Sequence, residues 1–178
     1  MKPLTKLVVF VLLMALVSTP VLAQGRVIDG DIRKAVGDVE VPAGTTVNGS
    51  VIVNMGDVRV FGVVKGDVTA NMGRVTVDGT VGGDVEADMG GVTVSGDVAG
   101  NVRTHMGEVI VRGKVRGNVD TGVGTVSILG SVLGDVTAEA DRIQISGRVE
   151  GNVHLAQGIV ELGPESVVGG RVLVERGM

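Results

Sequence analysis

The chain has 178 residues, enough for one domain, with a formal charge of −4 and no cysteine. Two phenylalanines and no tyrosine or tryptophan leave no aromatic platform for stacking bases or sugars. No basic run is present to hold nucleic acid or an anionic membrane. Without disulfides the fold must rest on burial alone.

Residues 1–23 stand apart. Lys2 and Lys6 form a short basic start, an apolar run follows from Leu7 to Val17, Ser18-Thr19-Pro20 breaks it, and Val21-Leu22-Ala23 supplies a small residue before Gln24. That order is the layout of a secretory signal peptide, which leaves residues 24–178 as the domain. The rival reading is an uncleaved membrane anchor, for which about 17 apolar or small residues is the short limit. Cleavage would remove Lys2 and Lys6, shifting the formal charge from −4 to about −6, and leave Phe61 as the one aromatic residue. The expected location is the extracytoplasmic cell envelope or the medium.

From Gly49 the chain keeps a beat of 17 residues. Glycine stands at 49, 66, 83, 100, 117, 134 and 151, then Ser, Asp or Asn, then valine each time. The beat stretches to 19 from Gly30 to Gly49 and from Gly151 to Gly170, with two extra residues expected at one corner near Pro42 and near Pro164. Within one unit Val68, Ala70 and Met72 form one alternating run, Val75 and Val77 a second, and Val81 a third, with Gly73 and Gly79 between them. Alternation over short runs marks strands with one buried face, and glycine suits the corners. Three short strands and three corners per unit describe one coil of a triangular β-solenoid, a single-stranded parallel β-helix of about eight coils of 17 residues. The expected core is Val68, Met72, Val75, Val77 and Val81 in one coil and Val85, Met89, Val92, Val94 and Val98 in the next. β-branched valine suits such a packed, pleated wall.

Several columns of the repeat carry residues with chemical potential. Met55, Met72, Met89 and Met106 share one column, which suggests a metal or oxidation ladder. The column continues as Val123, Ala140 and Gln157, so bulk rather than sulfur is the expected requirement, and core filling the expected role. The Asp/Asn column lacks the G-G-x-G-x-D spacing of calcium-binding solenoids, and corner residues of this type bond the backbone. His105 shares a column with Asn71, Asp88 and Glu139, while His154 lies in another, so the histidines do not stack. Opposite charges alternate along other columns: Glu86, Arg103 and Asp120; Asp57 and Arg74; Asp97 and Lys114. Such pairs staple register. No set of acid, base, nucleophile or metal ligands converges, so no catalytic residue, cofactor or metal site is expected.

The Gly-Asp-Val repeats from Gly30 to Val174 resemble the bactofilins, the polymer-forming cytoskeletal proteins. The resemblance implies a right-handed β-helix that assembles end to end into nonpolar filaments without nucleotide. Bactofilins are typically cytoplasmic with polar tails, whereas this chain opens on an export signal, so an exported relative is implied.

The two ends point to self-association. Val27, Ile28 and Ile32 are expected to face one opening of the coil stack, Val172 and Val174 the other, with Arg26, Asp29, Glu175 and Arg176 nearby to select register or restrain growth. The expected partner is a second copy of the chain, with envelope polysaccharide or a membrane-associated protein as a further partner, and no nucleic acid. The alternative is a monomeric, adhesin-like solenoid that presents a ligand.

Overall fold

The computed structural model describes residues 25–139 and 142–175, and the expected signal segment lies outside them. The described residues hold strands and turns and no helix. The strands wind into a parallel β-solenoid with three faces. Face I has nine short strands, from Arg26–Ile28 to Val167–Val168. Face II has nine, from Ile32–Val36 to Val172–Val174. Face III has eight, from Val39–Val41 to Ile159–Leu162. The stack therefore reaches nine turns on two faces, one more than the repeat count suggests. In two coils the strand runs unbroken around the corner between faces II and III, as Val102–Val111 and Val119–Ile128.

Every pairing is parallel and follows the repeat. Val85 pairs with Val68 on one side and Val102 on the other, an offset of 17. At the ends Arg26 pairs with Thr45 and Val153 with Val172, an offset of 19. The extra residues sit where the sequence placed them, at the corner from face III to face I. The Thr45 N–H donates to the Pro42 carbonyl at 3.1 Å, and the Ser166 N–H to the Gly163 carbonyl at 3.1 Å. Each is a tight turn. Gly44 completes the first with a φ of 77°, a conformation glycine adopts without strain.

Among the described residues 33 apolar side chains are buried, and 26 of them are valine. Val68, Val75, Val77, Val81, Val85, Val92, Val94 and Val98 are all fully inaccessible, as expected of a wall whose rungs interlock by translation. The two methionines assigned to that core are not in it. Met72 is 41% exposed and Met89 is 47% exposed. The alternation holds through Val68, Thr69 and Ala70, then fails: the cross-coil register skips Asn71, Asp88 and His105 before resuming at Met72, Met89 and Met106. The chain bends there into Gly73 and Gly90, whose φ angles are 150° and 151°. The bend leaves Asn71 and Met72 both exposed.

Candidate functional site

The two openings of the solenoid were built from the inward columns. Val153 and Leu155 are fully buried, and the residues in register with them one coil later, Val172 and Val174, are 42% and 39% exposed. Leu162 follows Ile128 and Ile145 in a third inward column and is 53% exposed. Val160 and Val168 complete the lining, partly buried against the core. Among the described residues, Ile159–Leu162, Val167–Val168 and Val172–Val174 each pair on one side only. Their outer edges carry backbone donors and acceptors without a strand partner, next to bare apolar side chains. That combination invites strand addition.

The other opening differs. Ile28 and Ile32 are partly buried and packed against the core. Val27 is exposed, but its register partner Thr46 faces outward, so Val27 lies on the outer wall at that edge, not over the opening as expected. The inward column of Val53 and Ala70 is instead led by Lys34, whose Nζ donates to the Asp38 carbonyl at 2.8 Å. Arg26 heads the column of the buried Thr45. A cation and its alkyl stem thus stand at the head of a column that continues inward as Val53, Ala70 and Ala87, a polar cover for this end. The signal for Lys34 was present in the sequence, but only after alignment through the 19-residue coil.

The polar corner column forms a continuous ladder. Asp31 Oδ1 accepts the Ser50 N–H at 2.9 Å, and Ser50 Oγ accepts the Asp67 N–H at 3.0 Å. The same bond then repeats through Asp84, Asn101, Asn118, Asp135 and Asn152 at 2.6–2.9 Å. It ends where the Arg171 N–H donates to Asn152 Oδ1 at 3.0 Å, because arginine has no acceptor to pass on. Asp31, which starts the ladder, is held below the ordinary carboxylate range by the Ser50 N–H first and by the nearby Arg33 second. The column ties each coil to the next through a side-chain acceptor.

The charge columns lie in register as read: Glu86 beside Arg103, Arg103 beside Asp120, and Asp97 beside Lys114. Arg103 reaches both Asp120 and Asp84, at 3.4 and 3.5 Å. In the Asp57–Arg74 column, Asp57 Oδ1 accepts the Arg74 backbone N–H at 2.9 Å, while the Asp57 carboxylate pairs with Arg59 at 3.4 Å. His105 does have a partner: its Nδ1 lies 3.0 Å from Asp88 Oδ1 in the neighbouring coil. Glu86, Asp88 and His105 bring one ligand atom each within 4.8 Å of one another. Beside them a shallow depression of about 330 Å³ opens over Gly122, edged by Arg103, His105, Asp120 and Glu139.

No family model, curated protein or solved structure matches this chain.

Proposed function

We propose that the chain is a non-enzymatic structural protein that associates with further copies of itself through the ends of the solenoid, as a scaffold at the bacterial cell envelope. The observation that carries this reading is the opening lined by Leu162, Val172 and Val174, apolar residues 39–53% exposed beside open strand edges. Burying them against a second copy removes apolar surface from water and gives the edges partners in one step. A tail-to-tail joint sets these residues against their own copies, apolar on apolar, and is isologous. A head-to-tail joint would set Lys34 over Val174, so the tail-to-tail joint is favoured. Growth beyond the dimer then needs a second joint at the Lys34 end. The resemblance to bactofilins supports the same arrangement, since filaments built from alternating joints are nonpolar. The envelope location rests on the basic-apolar-small order of residues 1–23.

Negative-stain microscopy and sedimentation of the purified protein test the reading. Dimers and longer filaments are expected for the wild type, and for Leu162→Lys or Val174→Lys no filaments, with monomers at low salt. Single-chain particles at every concentration and salt level would overturn it in favour of a monomeric, ligand-presenting solenoid.

A further inference from the structure

The methionines are distributed in a way that apolar bulk does not explain. Among the described residues all four, Met55, Met72, Met89 and Met106, lie in one column, in consecutive coils, at 41–51% exposure. None of the 33 buried apolar side chains is a methionine. Among the described residues other apolar positions use valine, isoleucine, leucine, alanine or Phe61, and on either side of the methionine run in the same column Val36 and Val123 stand 67% and 59% exposed. A corner that required only an apolar side chain has no reason to use sulfur four times running. The thioether is the chemical difference, and with no cysteine in the chain it is the only soft donor available.

We propose that this corner binds a soft monovalent cation, Cu(I) or its analogue Ag(I), through Met72, Met89 and Met106 with His105 as the nitrogen donor. Three features converge. Parallel register places Met72 opposite Met89 and Met89 opposite Met106, about 4.8 Å apart at the backbone. The unbranched methionine chain, with three rotatable bonds, lets neighbouring sulfurs turn toward one ion. Thioethers are soft ligands of the kind that suits Cu(I).

His105 is the second feature. On a flat strand, adjacent residues point to opposite faces, yet the bend that breaks the register leaves His105 and Met106 both exposed. Asp88 Oδ1 lies 3.0 Å from His105 Nδ1, so the favoured tautomer carries its proton on Nδ1 and leaves the Nε2 lone pair free. A carboxylate behind an imidazole in this way orients the ring and raises its basicity as a ligand. Charge is the third feature. Thioethers and imidazole are neutral, so the bound ion keeps its positive charge, and Glu86 and Asp88 stand beside His105 to offset it. Binding involves no electron transfer, and it occurs on a single chain, independent of any association through the ends.

The test is titration of the purified full chain with silver nitrate, and with Cu(I) kept reduced by ascorbate under nitrogen, against bathocuproine disulfonate as competing chelator. The expected result is saturable retention of the ion. The ε-methyl resonances of Met72, Met89 and Met106 should shift in the wild-type protein. Met89→Leu, which keeps bulk, should weaken retention about tenfold or more, and His105→Ala by a similar factor. The methyl measurement needs no variant, so it stands even if a substituted chain fails to fold. Unshifted methyl groups, retention unchanged in Met89→Leu, or retention of Zn(II) by Glu86, Asp88 and His105 without Cu(I) would each overturn the proposal.

Discussion

The side-chain oxygen of Asn118 accepts the backbone N–H of Asp135, one coil further on, at 2.9 Å. This single bond explains why the corner position alternates freely among Ser, Asp and Asn and never takes an alanine. Each of those side chains carries an acceptor one or two bonds beyond Cβ, and each acceptor ties its coil to the next. Asn118→Ala should cost about 1 kcal/mol, since it strands one partly solvated N–H, while Asn118→Asp should be close to neutral. Chemical denaturation of the two variants checks the difference.

The glycine before each residue of that column is tied to the same ladder, as Gly100 before Asn101 shows. A methyl group built on Gly100 would collide with Asp84 Oδ1 and with the Gly83 carbonyl of the preceding coil. Gly100→Ala should therefore cost about 3 kcal/mol, at the upper end of overpacking penalties. Combining it with Asp84→Gly should not restore stability, because the Gly83 carbonyl remains in the way. Recovery in the double variant would mean that the side chain alone excludes the methyl.

Period, faces and valine wall were legible because parallel stacking repeats one environment at each position of the repeat, so that a column in the sequence is a column in space. Val68 predicts Val85 for that reason. Met72 and Met89 were misplaced because the alternation of Val68 and Ala70 was carried through Asn71, where the strand has already begun to turn. A two-residue rhythm records which face a side chain takes on a straight strand and nothing about where the strand bends. Val27 was misplaced and Lys34 was missed for a related reason: the first coil has no preceding rung, and its longer corner shifts the register by two. The pairing of His105 with Asp88 was readable as a shared column, but its 3.0 Å approach depends on side-chain rotation, which periodicity does not carry.

The exposed methionine corner separates two environments that look alike in sequence. Met89→Ser removes a side chain that is already half in water and should change stability by no more than about 0.5 kcal/mol. Val94→Ala, at a fully buried position, loses two methyl groups' worth of packing and should cost about 2 kcal/mol. Thermal denaturation of both variants gives the contrast. Equal losses would return the methionine to the core.

Asp31 makes the first coil sensitive to acid. Its carboxyl is lowered from the ordinary value by the Ser50 N–H and then by Arg33. The folded state therefore binds this proton less readily than the unfolded chain. The resulting stabilisation is present above the ordinary carboxylate range and is lost as pH falls through the lowered pKa. Acidification below about pH 4 should loosen the first coil before the middle of the stack, seen as faster hydrogen exchange at Ser50. Asp31→Asn keeps an acceptor for that N–H but removes the titration, so it should flatten the pH dependence. An unchanged pH profile in that variant would assign the effect to another carboxylate.

The contrast between the two openings should make the proposed assembly dependent on salt. The proposed joint through Leu162, Val172 and Val174 is apolar and is not weakened by screening, so dimers should form even at low ionic strength. The opposite opening carries Lys34 and Arg26 at the head of inward columns. Bringing two such ends together opposes like charges, at a cost that falls as the Debye length shrinks from about 30 Å at 0.01 M to about 8 Å at 0.15 M. Filaments should therefore lengthen as salt is raised through that range, while the dimer persists throughout. Lys34→Ala should remove much of the barrier and give filaments at low salt, whereas Val174→Lys should leave monomers at low salt and nothing longer than a pair joined at the Lys34 end when salt is raised. Sedimentation velocity across the salt series resolves the species. If Lys34→Ala leaves the salt response unchanged, the charge at this opening does not govern growth, and the restraint lies elsewhere at that end.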